Sequence, residues 1–172
     1  MKFFILSIFG KDRPGIVAGV SRVLYQLGLN IEDSSMTRLK GEFTIMLIVG
    51  SERYISSEEI LESLSPVGEE FELFMVCKEL EDVFYPKAEA LYRIVVFGSD
   101  RPGIVYSVAS KLAELGLNIS DLRTEKKGSL YVMLMEVEGS EGVEPILREA
   151  MEELRERVGL DIVLEREEGE RL

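Results

Sequence analysis

The chain of 172 residues contains no histidine and no tryptophan, and it has a single cysteine, Cys77. Without histidine, the most common general base, the most common metal ligand and every histidine-containing catalytic triad are excluded. One cysteine excludes an intramolecular disulfide, and its place in the apolar run FELFMVC is typical of a buried structural thiol. We therefore expect no cofactor, no metal and no catalytic residue, and we expect a reducing, cytoplasmic location.

Basic residues are also scarce, since 20 lysines and arginines stand against 32 acidic residues and give a net charge of −12. A nucleic-acid surface needs basic groups that displace counterions, so the composition argues against a direct nucleic-acid partner. No apolar run is long enough to cross a membrane. The N-terminal run MKFFILSIF has no small-residue cleavage site after it and has a counterpart at 91–97, so we do not expect a signal peptide.

The sequence does contain an internal repeat. The stretch GKDRPGIV at 10–17 returns as GSDRPGIV at 98–105, and GLNI at 28–31 returns at 116–119. With a shift of 88 positions, 15 of the 24 residues from Gly10 to Asp33 are identical. This pattern indicates duplication of one unit of roughly 80 residues. The predicted domains are residues 1–80 and 91–172, joined by a linker at 81–90 in which charge and Pro86 interrupt the periodicity.

Each copy has the same predicted order of elements, βαββαβ. Apolar runs rich in β-branched and aromatic residues predict the first strands, and apolar residues at helical spacing follow each DRPG turn. Gly28 and Gly116 end these helices, and second helices begin at Ser56 and near Pro145. The predicted strands are 3–9, 31–39, 42–49 and 71–77 in the first copy and 91–97, 119–125, 129–137 and 160–164 in the second. We expect the acidic tail at 165–172 to be loose.

The predicted fold class is α+β, with the unit βαββαβ present twice, and each unit has four antiparallel strands and both helices on one face of its sheet. The strands EFTIMLIV and YVMLMEV are apolar at successive positions, whereas a sheet with one face in water should alternate. We therefore expect the other copy or a second chain to cover the open face. The simplest assembly is a homodimer.

Two interpretations of the DRPG turn use the same atoms. The turn can serve only to reverse a strand into a helix, with the aspartate near the N-cap, the proline early in the helix and the glycine allowing close packing. Alternatively, the free N–H groups of the helix attract a carboxylate or phosphate, and Arg13 or Arg101 adds a guanidinium. Asp12 or Asp100 then receives an ammonium. A carboxylate and an ammonium are the two ends of an amino acid.

Asn30 and Asn118 open the strand after each first helix, and their side chains offer both a donor and acceptors. They can equally be turn residues. In combination, DRPGIV, an amphipathic helix and GLNI within βαββαβ resemble the ACT domain, once per copy and over nearly the whole chain. Such a pair is most similar to the family related to the glycine cleavage system transcriptional repressor. The resemblance implies a ferredoxin-like fold present twice, side-by-side sheet pairing and a regulatory site, usually for an amino acid, at domain interfaces.

Carried over by position, this resemblance implies that the DRPGIV loops and the two asparagine–isoleucine pairs bind the ligand. The residues are Asp12, Arg13, Pro14, Gly15, Ile16, Val17, Asn30 and Ile31 in the first copy, and Asp100, Arg101, Pro102, Gly103, Ile104, Val105, Asn118 and Ile119 in the second. The copies differ at Lys11 against Ser99 and at Ala18-Gly19 against Tyr106-Ser107. We therefore expect their ligands or affinities to differ.

The expected function is that of a regulatory protein without catalysis. The resemblance implies that it binds a small amino acid such as glycine or serine at ACT-domain interfaces and signals to a protein partner, in transcriptional control of amino-acid metabolism. One alternative is a direct DNA-binding repressor, which the acidic charge and the missing helix-turn-helix pattern disfavour. Another is a stand-alone regulatory subunit of an amino-acid biosynthetic enzyme.

Overall fold

The predicted order of elements is confirmed in both copies in the computed structural model, which describes residues 1–81 and 88–167. These residues form two compact units, one on each side of the segment 82–87. Most of the predicted linker at 81–90 and the last five residues of the predicted tail lie outside the described residues. The domain boundaries therefore stay a prediction.

Each unit contains four strands and two helices. In the first unit β1, α1, β2, β3, α2 and β4 have the bounds Lys2–Lys11, Ile16–Gln26, Asn30–Leu39, Glu42–Ser51, Ser57–Phe71 and Phe74–Leu80. In the second unit β5, α3, β6, β7, α4 and β8 have the bounds Ala90–Ser99, Ile104–Glu114, Asn118–Lys127, Leu130–Gly139, Glu144–Val158 and Asp161–Glu167. No helix in the two described ranges is both long and apolar enough to span a lipid bilayer.

The first strand of each unit lies in the middle of an antiparallel sheet. The strand order is β2-β3-β1-β4 in the first unit and β6-β7-β5-β8 in the second. At the centre of the first sheet, Leu6 pairs with Leu47 of β3 on one side and with Cys77 of β4 on the other. The register shifts at the same place in both units, between Ile31 and Asp33 and between Ile119 and Asp121. The duplicated ferredoxin-like fold is thus confirmed.

Side chains along the strands alternate between a buried and an open face. In β1, Phe4, Leu6 and Ile8 are fully buried, whereas Phe3 and Ile5 are only half-buried. The buried residues form one cluster with the apolar sides of α1 and α2, and the second unit forms its own cluster in the same way. Both helices of a unit therefore lie on one face of its sheet, because the same alternate strand residues contact both of them.

Local sequence signals account for several helix ends. Ser56 caps α2, since its hydroxyl accepts a hydrogen bond from the N–H of Glu59 at 3.2 Å, as the capping-box pattern predicts. Gly28 and Gly116 follow α1 and α3 with φ of 70°. This left-handed conformation is unfavourable for residues with a Cβ, so the predicted role of these glycines is confirmed.

The last strands differ from the prediction. Phe71 ends α2 instead of beginning a strand, Glu72 adopts φ of 55°, and β4 begins only at Phe74. The apolar run FELFMVC contains no signal for this boundary, because both the helix end and the strand start are apolar. In the second unit, β8 reaches Glu167 and pairs with β5. Residues 165–167 are therefore part of the sheet and not of a loose tail.

Cys77 of β4 is half-buried and packs against the first core. Burial raises the pKa of its thiol to about 11, and the negative charge of Glu58 contributes to the increase. The native thiol is therefore protonated at pH 8, whereas a cysteine in an unfolded chain, with a pKa of about 8.5, is partly thiolate. We expect iodoacetamide at pH 8 to alkylate Cys77 roughly two orders of magnitude more slowly in the native protein than in urea.

Mass spectrometry of quenched samples measures both alkylation rates. The native rate should rise about tenfold per pH unit until the pH approaches the raised pKa, because only the thiolate reacts. A native rate equal to the rate in urea contradicts a buried, protonated thiol.

Candidate functional site

In the first unit the DRPG loop connects β1 to α1. β1 ends at Lys11, and the N–H of Asp12 donates to the carbonyl of Gly41 at 2.9 Å, so the loop leaves the sheet beside the β2–β3 turn. Gly15 precedes the helix with φ of 100°, and its carbonyl accepts the N–H of Gly19. This φ requires glycine, because a side chain would be strained there.

The N-termini of α1 and α3 have no side-chain cap. The interpretation that places the aspartate near the N-cap is not met by a capping hydrogen bond, because the N-cap residues are Gly15 and Gly103. Asp12 instead pairs with Arg38 at 3.3 Å, and Asp100 pairs with Lys126. The prolines of both motifs, Pro14 and Pro102, precede the helices and do not lie in the first turn. The first N–H groups of each helix therefore remain available to a ligand, together with the positive end of the helix dipole.

The arginines of the two motifs have different surroundings. Arg13 donates from Nη2 to Oε2 of Glu72 at 2.7 Å. In the second unit Gly159 occupies the C-cap position that Glu72 occupies in the first. No side chain replaces this carboxylate, and Arg101 has no ion pair or hydrogen bond among the residues that the structure describes. Arg101 thus presents an unpaired guanidinium beside an uncapped helix N-terminus.

The space around the two loops also differs. A Cβ placed on Gly15 would lie 3.2 Å from Cζ of Phe71, so the phenyl ring packs directly on the first loop. A Cβ placed on Gly103 would meet nothing within 4 Å. The smaller Val158 ends α4 where Phe71 ends α2. The second loop is therefore open, whereas Phe71 and Glu72 cover part of the first.

The apolar residues of the motifs mostly face the cores. Ile16 and Ile104 are 2% and 4% exposed, so only their backbone groups can contact a ligand. In the first unit Ile16, Val17 and Ile31 are among the residues that line one narrow apolar crevice running between α1 and the sheet. The equivalent residues Val105 and Ile119 pack half-buried against the second core.

The asparagines lie far from the loops of their own units. Asn30 begins β2 and pairs with Gly50, whereas the DRPG loop lies beside Gly41, at the other end of the sheet. β2 is ten residues long, which separates the two places by about 30 Å. The second unit has the same arrangement, with Asn118 paired to Glu138 and the loop beside Ser129. A unit therefore does not bring its asparagine to its own DRPG loop.

Each asparagine amide is oriented by a carboxylate. Asn30 donates from Nδ2 to Glu32 at 2.9 Å, and Asn118 donates from Nδ2 to Glu138 at 3.2 Å. The donor side of each amide is therefore engaged, and the Oδ1 atom remains as an acceptor. Such an oxygen accepts a hydrogen bond from an ammonium group.

Four residues that contact the loops are not among the predicted site residues. Arg38 and Lys126 bind the loop aspartates, and Phe71 and Glu72 cover the first loop. The repeat does indicate a difference at this place, because aligning the two copies sets Glu72 against Gly159 after the second helix. In the described part of the chain, no group of three or more histidine, cysteine, aspartate or glutamate side chains is placed to hold a metal ion.

The fold and the repeated strand–loop–helix define a known class of regulatory module. The family model of the ACT domain matches residues 2–78 and again residues 93–165. The chain belongs to the ACT domain family, and the predicted resemblance is confirmed.

Two relatives show which ACT-domain proteins this chain is similar to in sequence. The chain is 33% identical to the glycine cleavage system transcriptional repressor of Escherichia coli over 122 residues, which are 70% of this chain and 63% of the repressor. The alignment thus spans less than two thirds of that protein. A UPF0237 protein of Methanopyrus kandleri is 37% identical over 91 residues, which are 52% of this chain and 96% of that protein.

Solved structures have the same fold along nearly the whole chain. An unknown protein from Galdieria sulphuraria has 28% identity and a TM-score of 0.81, and the alignment covers 96% of this chain and 98% of that one. A second structure carries the provisional name of a glycine cleavage system transcriptional repressor, with 18% identity, a TM-score of 0.76 and 98% coverage of both chains. At that identity the second likeness shows the fold alone.

Proposed function

We propose that the protein is a non-catalytic, cytoplasmic regulator that binds a small amino acid, with glycine and serine as first candidates, and passes the signal to a protein partner. The observation that carries this proposal is the unpaired guanidinium of Arg101 on an open loop beside the uncapped N-terminus of α3. The family, and a relative named for transcriptional repression of the glycine cleavage system, support a role in controlling amino-acid metabolism.

The second loop suits the carboxylate end of an amino acid. Backbone N–H groups and the dipole of α3 attract an anion, and Arg101 adds a charge-assisted donor. The open space at Gly103 lets a ligand approach the backbone closely. The buried side chain of Ile104 leaves only its N–H for the ligand.

The ammonium end requires an acceptor other than the loop aspartate. Asp100 is already paired with Lys126, and Asp12 is paired with Arg38. The free Oδ1 of Asn30 or Asn118 is suitable, but each lies far from its own loop. We therefore place the ligand where the loop of an ACT unit in one chain meets the asparagine of an ACT unit in the other chain of a homodimer.

The first loop is the weaker site in this proposal. Arg13 is already neutralised by Glu72, and Phe71 packs on Gly15. A ligand carboxylate would have to compete with Glu72 for the guanidinium. The second loop should therefore bind the amino acid more tightly than the first.

A protein partner is proposed in preference to DNA because of the net charge. The chain carries −12, and contact with duplex phosphates requires neutralising groups that this chain has in short supply. A direct DNA-binding repressor and a regulatory subunit of a biosynthetic enzyme remain the alternatives. Operator binding by the purified chain at physiological salt would favour the former.

Calorimetric titration and thermal unfolding with glycine, serine and larger amino acids test the proposal. Ligand at a hundredfold excess over its Kd should stabilise the protein by about 2.7 kcal/mol. Arg101→Ala should weaken binding at least tenfold, because a charged hydrogen bond to the carboxylate is lost. Arg13→Ala is the matched control and should change the affinity less than threefold. No binding of any amino acid, or equal losses in the two variants, contradicts the proposal.

A further inference from the structure

The sheet face turned away from the helices in the first unit, here called the open face, is strongly apolar. On it, Phe9, Met46, Phe74 and Val76 are 48%, 50%, 66% and 60% exposed. The rings of Phe9 and Phe74 stack with their centroids 5.2 Å apart. Single exposed apolar residues are ordinary, but a contiguous patch of this kind marks a contact surface.

The size of this patch matches one side of a dimer interface. With a full surface of about 150–200 Å² each, the four residues expose about 400 Å² of apolar area. A standard interface buries about 800 Å² per partner, of which roughly 57%, or about 450 Å², is apolar. The half-buried Ile5 and Ile48 lie in the next row along the strands, beyond Ser7 and Met46, and add to the exposed apolar area.

Two charges lie at the ends of the row that contains Ile5 and Ile48. Asp33 pairs with Ile48, Ile48 with Ile5, and Ile5 with Lys78, so the four side chains form a row across the sheet. Asp33 and Lys78 stand on opposite edge strands, three strand spacings or about 14 Å apart. Neither forms an ion pair within the part of the chain that the structure describes. Each is therefore available to a partner.

We propose that the open face packs on the open face of a second copy of this chain, about a two-fold axis parallel to the strands and running between β1 and β3. This rotation places β4 of one copy over β2 of the other, at the usual sheet separation of about 10 Å. Asp33 of each copy then faces Lys78 of the other. A two-fold axis perpendicular to the strands places β2 over β2 and leaves both lysines unpaired, so charge complementarity selects the parallel axis.

The second unit does not offer an equivalent surface. Its corresponding row consists of Asp121, Glu136, Arg93 and Glu165, and Arg93 is also paired with Glu167. Asp121 is also paired with Arg123 at 3.1 Å. Packing two copies of this row together would take all of these charges out of water, which is costly even for paired charges. The dimer contact is therefore assigned to the first unit. This assignment uses the homodimer of the proposed function but not its ligand, so mass measurements and ligand titrations test the two separately.

Light scattering on the full chain tests the surface. The wild-type mass should be twice the 19.4 kDa of one chain. Val76→Asp places a carboxylate on β4 inside the proposed interface, opposite β2 of the partner, twice per dimer, and should raise the dimer Kd roughly a hundredfold or more. Val163→Asp, at the equivalent position of the second unit and 45% exposed, is the matched control and should leave the mass unchanged. A monomeric wild-type chain, or equal effects of the two substitutions, overturns the proposal.

A charge exchange tests the axis. Asp33→Lys and Lys78→Asp each place like charges opposite one another and should each raise the dimer Kd about tenfold. The double variant restores opposite charges in reversed order and should return the Kd to within about threefold of wild type. Both side chains are exposed, so these variants decide the question even if Val76→Asp fails to fold by circular dichroism. A double variant no tighter than the single variants contradicts this axis.

Discussion

Gly15→Ala should lower the free energy of unfolding of the first unit by about 2–3 kcal/mol, against about 1–2 kcal/mol for Gly103→Ala in the second. The two glycines share the DRPG motif and have φ of 100° and 94°, so the backbone strain of a new side chain is similar. Only at Gly15 does the new Cβ also press on Phe71, at 3.2 Å. The difference between the two costs therefore measures the contact of Phe71 with the loop.

Native-state hydrogen exchange separates the two units, because amides of β1 and β5 report the opening of their own sheets. A double-mutant cycle with Phe71→Leu should show a favourable coupling of about 0.5–1 kcal/mol with Gly15→Ala, since the smaller side chain gives the Cβ room. Equal losses of unfolding free energy for Gly15→Ala and Gly103→Ala would contradict the conclusion that Phe71 covers the first loop while the second loop is open.

Tyr92→Phe should raise the free energy of unfolding of the second unit by about 1–2 kcal/mol. Tyr92 is 1% exposed, and its hydroxyl has no hydrogen-bond partner among the described residues. Phe4 occupies the same position in the first unit and is fully buried without a polar atom. Removing the hydroxyl from Tyr92 therefore removes an unsatisfied buried group and leaves the ring packing in place.

The reverse substitution is the matched control. Phe4→Tyr inserts a hydroxyl into the first core and should lower the free energy of unfolding by about 1–3 kcal/mol. Hydrogen exchange of the amides in β1 and β5, measured at increasing denaturant concentration, assigns each change in unfolding free energy to its unit. Destabilisation by Tyr92→Phe would show that the hydroxyl does have a partner in solution.

Most of the fold is predictable from the sequence because its signals are local. The repeat of DRPGIV and GLNI gives the two units, helical spacing gives α1 and α3, and Ser56 marks the start of α2. The end of α2 is not predictable in this way. Glu72 takes a left-handed conformation within an apolar run, and its ion pair with Arg13 joins residues 59 positions apart.

The motifs predict only some residues of the candidate site, and they do not predict its arrangement. Arg13 and Arg101 are identical in motif, and their difference comes from Glu72 against Gly159, beyond the reach of any local pattern. Asn30 is separated from its own loop because α1 begins at the loop and runs back along the sheet. β2 therefore begins with Asn30 at the opposite end of the unit. Two motifs that are close in the sequence therefore need not be close in the folded unit.

The central position of the first strand has a consequence for synthesis on the ribosome. β1 needs β3, about 40 residues later, and β4, about 70 residues later, before both of its edges are paired. At translation rates of 5–20 residues per second, β1 remains incomplete for roughly 4–14 s. The strand core FFILSIF has no charged residue, whereas Arg93 interrupts its counterpart LYRIVVF. The nascent first half is thus the one exposed to misassociation, because it lacks the charge that protects the second.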